Sequence, residues 1–342
     1  MEIITGYCIV KFAQWGYDRH PIFSSEDPVS SLYTILDNET LLHITGPDSL
    51  TFLQGQTTCD TSTVDSNHAI LGAYCTPKGR VVCDFLLCQL DDNHYALRLR
   101  RDIVHHSAAT FGKYIVFSKA DLRADDESWS IYGCWGDEAG TALKHALNCS
   151  IADAGSQEQY SSCGGDGFMV IQTDHEGKQY ECYINTASHP ELIEKLASAM
   201  SPGDADHWLA LQIDQGVARI EAATAEVFIP QVLNYDLTGH ISFSKGCYTG
   251  QEVVARMHYR GKPKQRLFKA TMDECAVLQA GTPLYTAQSQ QSAGTVVNGA
   301  LNSDGLPICL VVAPIALEDT VIHLSAPNGP NLFLDISPDN TG

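Results

Sequence analysis

The chain has 342 residues, 44% of them apolar and 18% charged, with 4 Trp, 14 Tyr and 11 Phe, a composition that buries sizeable cores and excludes an intrinsically disordered protein. At roughly 150 residues per domain the length predicts two or three domains. Lys and Arg number 21 against 41 Asp and Glu, and the formal charge of −20 disfavours broad electrostatic binding to nucleic acid or to anionic membrane, both of which need positive surface.

The opening Met1-Glu2-Ile3-Ile4-Thr5-Gly6-Tyr7 has neither a basic n-region nor an apolar h-region, so no signal peptide is predicted. No stretch reaches the ~18 apolar residues of a membrane span. Twelve cysteines are too dilute for a secreted disulfide scaffold and are read as reduced, cytoplasmic thiols, most of them small buried hydrophobes. There is no Cys-x-x-Cys pair, and the closest two, Cys83 and Cys88, share an apparent strand. No metal site is predicted.

Leu41 to Ile44 reads as a short strand, and Gly46-Pro47-Asp48 turns it into a helix carrying Leu50 and Leu53 and closed by Gly55. His68 to Cys75 and Arg80 to Leu90, joined by Thr76-Pro77-Lys78-Gly79, form a hairpin. A third strand, Tyr95 to Leu99, follows. A helical run begins at Asp102, and Ser128 to Trp135 reads as a strand before a helix from Glu138 to Leu147. Residues 155–167 are polar and Gly/Ser-rich and read as a loop, after which Phe168 to Gln172 and Tyr180 to Ile184 make a second hairpin. Pro190 to Met200 and His207 to Gln215 read as helices.

From Leu267 onward short strands near 267–271, 284–286, 294–297, 308–312, 321–324 and 332–336 alternate with Gly, Pro, Asn and Asp turns, the pattern of a small all-β barrel or sandwich. The fold class is therefore α+β, with residues 1–267 forming one region and residues 268–342 a second.

Phosphate-loop, dinucleotide, nucleophile-elbow and zinc-protease motifs are all missing from the sequence. Gly164-Gly165-Asp166-Gly167 precedes a strand and is read as a polar loop, and the adjacent His105 and His106 point in different directions on a helix. The informative segment is Lys245-Gly246-Cys247-Tyr248-Thr249-Gly250-Gln251-Glu252, continuing to Arg256. Residues 245–269 hold seven Lys and Arg against Glu252, a local +6 in a chain whose other residues sum to −26. That concentration beside a Gly-flanked cysteine favours an anion site over a solvated surface, with phosphate, polyglutamate and nucleic acid all open. Cys247 stands before a helix starting near Gly250 and two residues from Lys245, both of which would favour thiolate; a cysteine buried in a tight turn is the alternative. Glu252 is open to ligand N–H groups or to an intrahelical pair with Arg256.

In this segment the sequence resembles the YgfZ family, folate-binding relatives of the glycine-cleavage T-protein whose hallmark K-G-C-[FY]-x-G-Q-E is matched throughout Lys245 to Glu252. Four further blocks stand in family order: Gly46 to Asp60, Thr76 to Arg80, Trp208 to Leu211 and Phe228 to Gln231. The resemblance implies an aminomethyltransferase (T-protein)-like three-lobed fold with antiparallel sheets, in which residues 1–267 make two intertwined, possibly discontinuous α+β lobes and residues 268–342 a small C-terminal β-barrel. It further implies a cavity for tetrahydrofolate or a one-carbon derivative and a role in maintaining iron–sulfur clusters, with client enzymes, radical tRNA-modifying enzymes among them, and assembly proteins as partners.

By that resemblance Cys247 is the reactive thiol, and Trp208, Lys245, Gly246, Tyr248, Gly250, Gln251, Glu252 and Arg256 are cofactor-binding candidates, joined by Lys78 and Arg80 of the hairpin block, which could equally decorate a turn. A second folate-contacting tryptophan of the family falls at Glu39, a departure for which Tyr33 could substitute. No direct nucleic-acid contact and no membrane association are expected. An aminomethyltransferase proper is disfavoured, because Arg100-Arg101-Asp102 stands where the T-protein has an Asn-Ala pair; a non-catalytic folate- or partner-binding module is the remaining alternative.

Overall fold

The computed structural model describes residues 31–124, 127–149, 159–272, 274, 276–318 and 320–335. In chain order its first elements are β1 (Leu32–Ile35), β2 (Glu39–Thr45), α1 (Ser49–Gln56), β3 (Ile70–Cys75), β4 (Val81–Asp91), β5 (His94–Arg100), α2 (Val104–Ile115) and β6 (Asp121–Arg123). They are followed by β7 (Trp129–Trp135), α3 (Ala139–Leu147), β8 (Ser162–Gly165), β9 (Phe168–Gln172), β10 (Gln179–Asn185), α4 (Glu191–Ala199), β11 (Ser201–Pro202) and α5 (Ala205–Asp214). The last are α6 (Gln251–Arg260), β12 (Gln265–Thr271), β13 (Pro283–Tyr285), β14 (Gly294–Leu301), β15 (Pro307–Pro314), β16 (Ile322–Leu324) and β17 (Asn331–Leu334).

Three sheets organise these elements. Strands β3-β4-β5-β2-β6 make an antiparallel sheet, and β11-β1-β7-β10-β9-β8 a second one, antiparallel except where β1 runs parallel to β11 through Leu32↔Ser201. The remaining six strands close a barrel in the order β12-β15-β14-β13-β16-β17, so the α+β class and the C-terminal barrel expected from the sequence are present. The first two lobes are interleaved, because β1 precedes the first sheet in the chain yet pairs in the second. The barrel opens at Gln265, slightly before the position at which the sequence changes character.

The length of β4 follows from burial on both faces. Its first eight residues, Val81 to Cys88, are all buried, which fits the continuous apolar run of a strand covered from both sides; Asp84 is the charged exception. Between the first two sheets lies a core of Leu41, Leu71, Leu86, Ile131, Ile171, Tyr183 and Trp208. Helix α5 seals this core at one end and packs against β14 of the barrel at the other.

Two readings change. The polar stretch 155–167 contains β8, a strand where a loop was expected; residues 150–158 lie outside the described ones. Strand β8 is held by backbone pairing from Ser162↔Ile171 to Gly165↔Phe168, a bond pattern that needs no apolar side chain and leaves no hydropathy signal. Before α2, residues 101–103 form a short 3₁₀ turn.

Candidate functional site

Lys245 organises the hallmark segment. It is 9% exposed, and its ammonium donates at 2.7 Å to each of three backbone carbonyls, those of Gln54, Thr57 and Cys59. Residues 54–57 end α1, where carbonyls lack helical partners, and the negative end of the helix dipole adds to the attraction. An ammonium has three donors, and all are spent on the chain itself. Those bonds clasp the hallmark segment to the Gly55 to Asp60 block. Burial holds its pKa below the usual lysine value.

A second tie lies four residues on, where Thr249 Oγ1 bonds Gln56 Oε1 at 3.1 Å. Tyr248 between the ties is buried, its ring 5.2 Å from the Lys245 ammonium. Gly250 then caps α6 at φ +85°, and a Cβ there would lie 2.5 Å from the Thr76 carbonyl oxygen. The Thr76 to Arg80 turn thus packs directly on the start of α6, and only glycine meets both the backbone angle and the space. Gly246 and Cys247 bulge outward between the two ties. Of the ten described cysteines Cys247 alone is exposed; Cys59, nearest the clasp, has its thiol pushed up to about 11 by burial.

The other candidates divide. Lys78 and Arg80 are exposed on the turn, with the Arg80 guanidinium bonded to the Val227 carbonyl. Gln251 is half-buried, and Glu252 and Arg256 are exposed on α6. The intrahelical Glu252–Arg256 pair is not formed. Trp208 lies apart, 2% exposed, its indole flat on Gly133 of β7, where a Cβ would approach to 2.5 Å.

A cleft of about 1280 Å³ is lined by Trp135, Tyr160, Leu211, Gln215, Asp174 and Gly239 among others. None of the sequence-predicted residues lines it or the second cleft of about 890 Å³. Trp208 reaches the first cleft at second hand: its ring centroid is 5.9 Å from that of Trp135, whose buried Nε1 has no hydrogen-bond partner. The chain also links this cleft to the thiol. From its wall at Leu237 to Gly239 the segment runs to His240, whose carbonyl accepts from Thr58 Oγ1 at 2.6 Å, and Ser242 N donates to the Thr58 carbonyl at 2.9 Å. Lys245 and its clasp follow.

A set of charges that sequence reasoning missed fills the junction of the three lobes. Glu39, 4% exposed, accepts from Arg219 at 2.9 and 3.1 Å and from Arg100 at 3.2 Å, with Arg98 at 3.8 Å. Arg219 also donates to Asp84 at 2.6 Å, Arg98 to Glu181 at 2.8 and 2.9 Å, and Tyr183 to Glu181 at 2.7 Å. Asn298 of the barrel closes the set by accepting from the Arg219 backbone N–H at 2.8 Å and donating to Glu221 at 2.9 Å. Burial opposes ionisation of Glu39, but the three guanidiniums outweigh it and hold the carboxyl down at about 2. The position where the resemblance implies an aromatic ring is thus the hub of an ion network. The available signal was a charge inside each apolar strand run: Asp84, Arg98 and Glu181.

Among the described residues no group of three or more His, Cys, Asp or Glu side chains is arranged to hold a metal, and no helix is long and apolar enough to cross a membrane.

Comparison with known proteins gives concordant results. The family model for the GCVT N-terminal domain matches residues 33–208. The tRNA-modifying protein YgfZ of Escherichia coli O157:H7 (strain EC4115 / EHEC) is 32% identical over 322 residues, covering 94% of this chain and 96% of that protein. The protein of the same name from Enterobacter sp. (strain 638) is 32% identical over 310 residues, 90% and 92% of the two chains. Among solved structures, the glycine cleavage system aminomethyltransferase T from Bartonella henselae superposes with a TM-score of 0.72 at 14% identity, covering 91% of this chain and 86% of that one. At that identity it speaks to the fold alone.

Proposed function

The chain belongs to the YgfZ family, and on that premise we propose that it is a folate-dependent accessory factor, acting in the cytoplasm, for assembly or repair of iron–sulfur clusters in client enzymes, radical tRNA-modifying enzymes among them, with Cys247 as the reacting thiol. One observation supports this above the rest: Cys247 is the exposed described cysteine, on a short bulge pinned on both sides by Lys245 and Thr249. Such pinning spares the entropy of ordering the loop when a partner arrives.

The first cleft suits a tetrahydrofolate in chemical character. Trp135 and Tyr160 offer aromatic surface to a pterin, Gln159 and Gln215 offer amide groups, and the buried Trp135 Nε1 is a donor in want of an acceptor. When bound, a tetrahydrofolate supplies a carrier of one-carbon units. In this reading Trp208 acts by backing Trp135. Gly246, Tyr248, Gly250 and Gln251 shape the bulge that presents Cys247, while Lys78, Arg80, Glu252 and Arg256 set the charge around it.

The test is calorimetric titration with tetrahydrofolate of the wild type, Trp135→Ala, Trp208→Ala and Cys247→Ser, with each variant assayed for restoring cluster-dependent tRNA modification in a strain lacking the protein. Binding in the wild type and in Cys247→Ser, weakened at least tenfold in both tryptophan variants, with restoration lost in Cys247→Ser, is the expected result. A wild type that does not bind removes the folate from the reading. Full restoration by Cys247→Ser removes the thiol.

A further inference from the structure

Several cations of this acidic chain are paired with its own carboxylates. Lys178 pairs with Asp137 at 3.0 Å, Lys269 with Asp214 at 3.2 Å and Arg266 with Asp236 at 2.7 Å, and Arg98, Arg100 and Arg219 share the buried network. Helix α6 and the segment after it concentrate cations that are not so paired. Arg256, Arg260, Lys262 and Lys264 are exposed and make no ion pair or side-chain hydrogen bond among the described residues.

Helical spacing puts Arg256 and Arg260 on one face, with Tyr259, 70% exposed, beside them and buried Val254 opposite. Lys78 joins the same surface from the turn packed on the start of α6, since Gly79 is in contact with Val253. Glu252 is the one acidic residue of α6. The helix dipole accounts for Arg260 in the last turn; it does not account for Arg256, Lys262 or Lys264.

We propose that this face of α6, continued by residues 262–264, is a docking surface for an acidic surface of a partner protein. Unpaired cations on a chain that elsewhere sums to −26 raise the rate of encounter with a complementary anionic patch and disfavour basic partners. A protein is favoured over RNA by extent. Helix α6 has ten residues, about 15 Å of cationic face, too short to offset, for an extended nucleic acid, the repulsion of a chain whose formal charge is −20. An acidic protein patch is bounded and fits. Tyr259 supplies the amphipathic ring that such interfaces use as an anchor. The inference rests on charge and exposure and is independent of folate binding.

The test measures fluorescence anisotropy of a labelled oligo-L-glutamate peptide with the full chain at low and near-physiological salt, and with total tRNA in parallel. The proposal expects salt-sensitive peptide binding that is weakened roughly tenfold in Arg256→Glu/Arg260→Glu and to a lesser degree in Arg256→Gln/Arg260→Gln. Lys113→Glu, on α2, should leave it unchanged. Equal loss in Lys113→Glu would show a non-specific charge effect and overturn the proposal. So would absence of peptide binding, or tRNA binding tighter than the peptide's through the same two arginines.

Discussion

At the scale of single residues, Lys245 shows how far a motif can be read. Its place beside Cys247 is plain in the sequence, and proximity to a thiol suggests an anion site. Its partners, however, stand 186 to 191 positions earlier, and no local pattern reveals that three carbonyls converge there. Lys245→Met keeps the aliphatic stem but leaves three carbonyls without their donor, one partly and two fully enclosed. It should cost about 3 kcal/mol in urea unfolding, while the alkylation rate of Cys247, already exposed, should stay close to the wild type's. Cys247→Ser, at an exposed position with no described hydrogen bond, should unfold with the wild-type midpoint. A Lys245→Met variant as stable as the wild type would mean that the clasp is ornamental. Gly250→Ala carries a backbone penalty, at φ +85°, on top of its clash with Thr76, and should lose more than 1 kcal/mol.

At the scale of elements, legibility follows the source of the stabilising interaction. Strands β4, β9, β10 and β15 are written largely as apolar residues because each is buried over most of its length. Strand β8, Ser-Cys-Gly-Gly, is held by its ladder to β9 and carries no such run. Helix α5 is legible in the sequence, yet the sequence does not say what Trp208 faces. The structure places it on Gly133, a position in β7 whose missing side chain makes room for the indole. Trp208→Ala should therefore cost roughly 3–5 kcal/mol through the cavity it leaves, in addition to any effect on ligand. Thermal unfolding without ligand separates the two: loss of folate affinity with an unchanged Tm would show that Trp208 serves the ligand and not the core.

At the scale of the whole molecule, the ion network and the neighbouring His240 make the junction of the lobes a pH-dependent element. No stretch of sequence announces it, since Glu39 and Arg219 are 180 positions apart and Arg98 and Glu181 are 83 apart; only the oddity of charges within apolar strands was visible. His240 is fully buried, stacked on Tyr235 at 4.0 Å, and donates to or accepts from Thr238 Oγ1 at 2.8 Å. Burial and the nearby Arg219 and Arg98 push its pKa from 6.5 down to about 3, against a partial counter-pull from Asp84. Below pH 6.5 the unfolded chain takes up a proton here that the folded chain refuses, so stability rises with pH and is lost as pH falls from 6.5 toward 3. Glu39, lowered from 4.5 to about 2, has the same sign but acts only below 4.5. The two windows separate between pH 6.5 and 5, where His240 should contribute a slope rising from about 0.7 to about 1.3 kcal/mol per pH unit. In His240→Gln, which cannot titrate, urea unfolding across that interval should lose this slope, while the steeper loss below pH 4.5 should persist. Glu39→Gln should lose the lower part and, by leaving three arginines short of a carboxylate, destabilise the chain by roughly 3–5 kcal/mol at neutral pH. If the wild type shows no fall in stability from pH 6.5 to 5, His240 is reached by water in the native state and the junction is not the dry, neutralised node that joins the three lobes.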